Sequence, residues 1–217
     1  MKHFHVTTLT ASAAVLLFVG CSDPADKVHK TAASEPQKAS SAPSKSGKEY
    51  VVRAESTIGF VGSKVTGNHN GGFKKFAGKI NAADGKIVGT PEIKISMPSV
   101  WTDNDRVTGH LQSPDFFDVK QFPVSTFTIT SIESSAGQQK VTGNLSLHGV
   151  TKSVSFPANI QVADNAVAVK ADFAINRKDF NINYPGKPND LIRDNVVIKL
   201  DIKATPGASR PQDQLGN

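Results

Sequence analysis

From Glu49 onward, apolar and polar residues alternate at a spacing of two, the signature of strands that bury one face and solvate the other. Val141, Gly143, Leu145 and Leu147 share one face, and Val154, Phe156, Ala158, Ile160 and Val162 share one on the following run. Beyond Asp164-Asn165 come Val167, Val169, Ala171, Phe173 and Ile175, and the last run sets Val196, Ile198, Leu200 and Ile202 against Lys199, Asp201 and Lys203. Less regular runs at 49–55, 57–65, 73–81, 91–97 and 124–133 complete a prediction of eight or nine antiparallel strands. Pro157 interrupts one run and marks an edge or a bulge, because proline cannot donate to a ladder.

Between the fifth and sixth strands the punctuation becomes helical. Asp103 is positioned to cap a turn running through Arg106 to Leu111. Ser113-Pro114 then supplies an N-cap and a first-turn proline for a short helix through Phe116 and Phe117, which Pro123 ends. Many strands with one apolar face make either a sandwich or a closed barrel, and closure removes exposed edges. A barrel of eight strands is just wide enough to be filled by its own side chains or to hold one small ligand, and periodicity leaves that choice open.

The first 48 residues follow a different grammar. Lys2 precedes an apolar stretch, Val6 to Val19, that is shorter than the roughly twenty residues a bilayer-spanning helix needs. It runs into Leu17-Phe18-Val19-Gly20-Cys21, which resembles the bacterial lipobox, where the cysteine is acylated and becomes the first residue of the mature chain. Ser22 follows it, and the resemblance then implies the outer membrane, facing the periplasm. Residues 22–48 are rich in Ala, Ser, Pro and Lys, with Val28 the only large aliphatic side chain, which predicts a flexible spacer. The expected organisation is a signal peptide at 1–20, a lipidated tether at 21–48, a β domain at 49–205 and a disordered tail at 206–217.

Composition narrows the function. An apolar content of 38% in 217 residues suffices for one core. Of the net charge of +6, Lys2 supplies one unit and residues 22–48 a net two, so the domain is only mildly basic and no Lys/Arg stripe interleaved with aromatics points to nucleic acid. A single cysteine excludes an intrachain disulfide and a multi-thiolate metal site. No nucleophile elbow, phosphate loop or dinucleotide fingerprint occurs, and His110 and His148 lack partners at metal-ligand spacing, so no catalytic residue, metal or resident cofactor is expected. His110 suits a helix-turn hydrogen bond and His148 a turn at a strand end.

Three stretches carry a family resemblance. They are Gly109-His110-Leu111-Gln112-Ser113-Pro114-Asp115-Phe116-Phe117-Asp118-Val119, Val141-Thr142-Gly143-Asn144-Leu145-Ser146-Leu147-His148-Gly149-Val150-Thr151-Lys152, and Asn176-Arg177-Lys178-Asp179-Phe180. With Ser56-Thr57-Ile58-Gly59-Phe60 and Gly71-Gly72-Phe73-Lys74-Lys75-Phe76-Ala77-Gly78, they resemble the YceI-like family over about residues 49–205. The resemblance implies an all-β, antiparallel, eight-stranded lipocalin-like barrel that binds a polyisoprenoid or similar long-chain lipid in an apolar cavity, as a non-enzymatic carrier or reservoir. Cavity candidates are Phe60, Phe73, Phe76, Ile95, Trp101, Leu111, Phe116, Phe117, Phe127, Leu145, Leu147, Phe156 and Phe173, with Arg106 and His110 as head-group candidates. Two positions depart from the family pattern: Trp101, which would shorten the cavity if turned inward, and Asn181, where glycine is usual. The expected partners are the lipid and the membrane holding acylated Cys21, and a homodimer is left open. The competing reading is a solid barrel that serves as an envelope interaction or structural protein.

Overall fold

In the computed structural model, which describes residues 22–38, 47–135 and 137–207, the alternating runs join into one sheet closed on itself. The strands are β1 (His29–Thr31), β2 (Lys48–Val52), β3 (Thr57–Lys64), β4 (Gly67–Phe73), β5 (Phe76–Ala83), β6 (Lys86–Ser96) and β7 (Val100–Thr102). The helix α1 (Asp105–Leu111) follows, then β8 (Val124–Ser135), β9 (Gln138–Leu147), β10 (Val150–Ala163), β11 (Ala166–Asn176), β12 (Gly186–Lys187), β13 (Asp190–Leu191) and β14 (Asn195–Pro206). An eight-membered ring runs β14, β11, β10, β9, β8, β6, β5, β2 and back to β14. The last strand closes it: one side of β14 pairs with β11, while the other pairs with β3 over Val197–Asp201 and with β2 over Ala204–Pro206. The expected antiparallel eight-stranded barrel is therefore the fold.

Turn chemistry explains two of the hairpins. Asp84-Gly85 and His148-Gly149 both adopt positive φ, which the two central residues of the tight turn matching strand twist require. His148 is accordingly at a strand end, its Nδ1 3.2 Å from the Phe180 carbonyl oxygen. Asn181 also has positive φ, at 58°, a conformation that asparagine adopts more readily than most residues, so its departure from glycine preserves the turn.

The two ends of the barrel differ. One end carries the 64–67 and 147–150 hairpins and the long connections 97–123 and 177–194, and is called here the cap end; the other carries the hairpins at 83–86 and 163–166. Towards that other, closed end the lumen is packed by Tyr50, Ile80, Val141, Val167 and Ala204, all buried, with the Tyr50 hydroxyl donating to the Ala163 carbonyl at 2.9 Å.

The helical connection is shorter than expected. α1 is capped by Asn104, whose Oδ1 accepts from the Arg106 and Val107 amides at 3.0 and 3.2 Å. Asp103 instead accepts from the Asn70 amide and faces His69 Nδ1 at 2.7 Å. The second helix predicted from Ser113-Pro114 is a series of turns: the Phe116 and Asp118 amides both donate to the Ser113 carbonyl, and the Phe117 amide reaches back to Leu111. Asp118, with φ 43°, breaks any continuation before Pro123.

The largest difference lies in the tether. Residues 22–37 are docked on the barrel as a strap. Asp23 caps a 3-10 turn at Pro24–Lys27, and Ala25 is fully buried against Val61, Ala174 and Val197 on the outer face. β1 then pairs in parallel with β11 at Phe173–Ile175. Ser34 exchanges two backbone hydrogen bonds with Ser153 of β10, both 2.9 Å, and Thr31 Oγ1 donates to the Ser155 carbonyl at 2.7 Å. Because β14 occupies the other side of β11 and β9 the other side of β10, β1 is wedged between β10 and β11. Those two strands pair only from Asn159 onward, next to Pro157, which has no amide hydrogen to offer the partner strand. A count of apolar residues misses such a segment, since it is held by backbone hydrogen bonds and two small buried side chains, Ala25 and Thr31. Cys21, the signal stretch, 39–46 and the tail from 208 lie outside the described residues.

Candidate apolar binding cavity

The cap half of the barrel holds a cavity of about 200 Å³ whose accessible wall is entirely apolar. The strand alternation aims Phe60, Phe73, Ile95, Phe127, Leu145, Leu147, Phe156 and Phe173 into it from β3, β4, β6, β8, β9, β10 and β11. Leu111 at the end of α1, with Phe116 and Phe117 from the turns that follow, covers the end of the lumen. Each of these candidates therefore lines the space.

The rings form two connected groups. Phe60 meets Phe73 at 5.9 Å between centroids, and Phe73 meets Phe117 at 6.0 Å. Across the lumen Phe127 meets Phe156 at 5.7 Å, and Phe156 stacks parallel on Phe173 at 3.9 Å. That stack spans the two strands β1 separates. The rings stay against the wall because their cross-strand neighbours lack side chains: a Cβ at Gly71 would collide with the Phe60 ring, and one at Gly143 with the Phe127 ring. Glycine at these positions keeps the middle of the lumen empty.

Trp101 and Phe76 do not line this cavity, which corrects the reading that placed them there. Trp101 is 39% exposed and lies on the outer face across from Gly72, its register partner on β4. It shares a side groove of about 320 Å³ with Phe76, Lys74, Lys75 and Arg53. Only Ile58 and Phe73 border both spaces. The indole therefore leaves the lumen unobstructed.

Neither head-group candidate reaches the cavity wall. Arg106 is exposed on α1. His110 packs edge-on against Phe116 at 4.9 Å and Tyr184 at 4.8 Å, with Nε2 2.8 Å from Asp115 Oδ2, and so braces the outer side of the cap. Among the described residues no three His, Cys, Asp or Glu side chains gather as a metal site would require.

The structure adds lining residues that the sequence reading passed over: Ile58, Ile198, Leu200 and Ile202 from β3 and β14, and Ile182 and Ile192 from the loop before β14. The β14 residues carry the same period-two signal as those chosen, but a preference for phenylalanine hid them. Arg177 also borders the cavity while only 4% exposed, and its charge is turned away from the lumen. Its guanidinium donates to the carbonyls of Ile182 at 2.6 Å, Arg193 at 3.1 Å and Ile192 at 3.3 Å, and to Asp194 Oδ1 at 3.3 Å. Burial lowers its pKa from the usual arginine value, with Asp194 opposing the shift. It pins the 177–194 loop over the lumen, and its place in the Asn176–Phe180 motif was the available signal.

Comparison with known proteins places this arrangement. The YceI-like domain family matches residues 50–204. A UPF0312 protein of Pseudomonas putida is 32% identical over 165 residues, covering 70% of this chain and 85% of the relative. Protein YceI of Salmonella arizonae is 35% identical over 96 residues, 42% of this chain and half of that protein. Among solved structures, Burkholderia cenocepacia BcnA superposes with a TM-score of 0.63 at 24% identity, over 70% of this chain and 98% of BcnA. A structure described as a polyisoprenoid binding domain from Saccharophagus degradans, implicated in plant cell wall breakdown, gives 0.61 at 19% identity, over 74% and 99% of the two chains. The strap precedes the matched region, whereas the barrel and nearly all of its cavity wall coincide with it: the chain belongs to the YceI-like family.

Proposed function

We propose that the chain binds the hydrocarbon tail of an isoprenoid or similar long-chain amphiphile in the cap-half cavity and serves as a carrier or reservoir in the bacterial envelope, without catalysis. The observation that carries this reading is a cavity in the barrel lumen whose accessible wall is wholly apolar. The shared fold with a polyisoprenoid binding domain supports it. At about 30 Å³ per water-sized group, a volume of about 200 Å³ admits about seven methylene-sized groups. Each buried methylene contributes about 0.8 kcal/mol, so the tail segment is worth about 6 kcal/mol before any head-group contact. A longer chain extends outward past Phe117, because Tyr50, Val141 and Val167 fill the lumen towards the closed end. Affinity resides in the tail, and prenyl and acyl chains compete.

The reading includes acylation of Cys21 and a position at the outer membrane facing the periplasm, both resting on the lipobox-like Leu17–Cys21 sequence. Organic extraction of protein purified from its native host, followed by mass spectrometry, tests the binding role. A co-purified long-chain amphiphile at near-stoichiometric yield is expected. A protein that carries none and ignores added prenyl lipids favours the solid-barrel alternative.

A further inference from the structure

The strap enters the barrel at the same rim that roofs the cavity. Asp23 stands 3.4 Å from Ser63 Oγ and 3.8 Å from Arg193 Nη1, the first next to the β3–β4 hairpin and the second in the loop before β14. Cys21 is two residues from Asp23 in sequence, and consecutive Cα atoms are about 3.8 Å apart, so a lipid carried on it, as proposed above, is tied within a short covalent reach of the Asp23 position at this rim.

A separate feature marks the same place. Among the described residues four large apolar side chains are exposed: Val65, Trp101, Val124 and Leu191. Val65 and Leu191 are neighbours, the Val65 amide donating to the Leu191 carbonyl at 3.2 Å, and both project from hairpins of the cap end. Lys64 pairs with Asp190 there and holds the two hairpins together. Lys27 and Lys187 stand exposed on the strap and on β12. Exposed apolar tips with a lysine beside them, Lys187 on the same β12–β13 hairpin as Leu191, are what a surface seated in the headgroup layer of an anionic bilayer presents.

We infer that the Val65–Leu191 rim is a membrane-seating surface, and that the strap fixes the barrel with its cap end against the bilayer in which the Cys21 lipid is inserted. This rests on the proposed anchor and cavity. The docked strap replaces a long leash by a short one, so the roofed end of the cavity faces the lipid phase and a tail passes between bilayer and lumen without crossing water. The closed end points away.

The test separates the rim from the anchor. The chain from Cys21 onward, which contains every described residue, is coupled through its single thiol to maleimide-bearing phosphatidylethanolamine in vesicles that also contain phosphatidylglycerol and brominated phospholipid. In a Trp101→Phe background, one variant carries Val65→Trp at the rim and another Lys86→Trp at the opposite end. Insertion of an apolar tip about 5 to 10 Å into the headgroup boundary predicts bromine quenching of the rim indole about twofold or more above that of the far one. Adding Asp23→Ala and Ser34→Pro, which release the strap, abolishes the difference while the protein stays coupled. Equal quenching at the two ends with the strap intact overturns the inference, as does a difference that survives strap release. The mass of the N-terminal peptide of the native protein is read separately, and a peptide without acyl chains overturns the anchor on which the inference depends.

Discussion

The closed and cap halves of this barrel are built from the same strands with the same alternation, yet one is solid and the other hollow. Towards the closed end Tyr50 reaches across to the Ala163 carbonyl, and Ile80, Val141 and Val167 fill what remains. In the cap half larger residues enclose empty space. Two features account for the inversion. The Phe60 and Phe127 rings lie over Gly71 and Gly143 instead of projecting to the centre. The wall also gains a strand where β1 separates β10 from β11, and barrel diameter grows with strand number. Side-chain size alone does not decide whether a small barrel is full; the partner across the strand and the local strand count do.

The sharpest way to erase the contrast is to fill the cap half. Ile198→Trp, on β14 facing the lumen, is expected to weaken binding of a prenyl or acyl probe by about a hundredfold or more, since most of the tail burial is lost, while overpacking costs about 1 to 3 kcal/mol of stability. Probe titration alongside urea unfolding separates the two effects. The converse change, Tyr50→Ala in the closed half, is expected to cost about 3 kcal/mol or more in unfolding free energy and to leave probe affinity of the folded protein unchanged. Gly143→Ala pushes the Phe127 ring or its strand towards the lumen and is expected to lower affinity about tenfold, near 1.4 kcal/mol, in the same titration.

Acid distinguishes the ends more gently. The Lys64 ammonium and the Thr66 hydroxyl and amide hold the Asp190 carboxyl below its usual range, and the Asn70 amide and His69 do the same for Asp103. A carboxylate with a depressed folded pKa contributes stability that is present above its unfolded value of about 3.9 and disappears as pH falls through the folded one. Both groups sit at the cap end. Amide exchange measured below about pH 4 is therefore expected to quicken first around 64–70 and 190–193, with closed-end amides such as Val141 and Val167 unaffected until later. The smallest effect belongs to Trp101→Phe on the outer face, which should change probe affinity by less than about twofold.

The barrel was legible because period two persists through β9, β10, β11 and β14, although a bulge between Ile129 and Ser131 breaks it in β8, and the motifs around Gly109–Val119 and Val141–Lys152 named its family. Eleven of the thirteen cavity candidates line the lumen, eight of them from strands and Leu111, Phe116 and Phe117 from the cap motif. Trp101 and Phe76 do not. Trp101 pairs with Gly72 and faces outward, whereas Phe76 shares the inward face of its register partner Ile95 but, as the first residue of β5 beside the break at 74–75, borders the side groove instead. The strap was illegible for a different reason: its binding energy lies in main-chain hydrogen bonds to Ser153 and β11, which no side-chain pattern records. The hollow itself was invisible, since the sequence lists what points inward and leaves out how far apart the walls stand.

The central claim is that a hydrocarbon tail occupies the cap half and stops at the packed end. A fatty or prenyl chain bearing a nitroxide at its tip, titrated into methyl-labelled protein, tests it by paramagnetic broadening in NMR spectra. The account predicts strong broadening of Leu145, Ile198 and Leu200 methyls with Ala82 and Ala204 left sharp. Broadening confined to the outer side groove around Val52, or none at saturating probe, would contradict it.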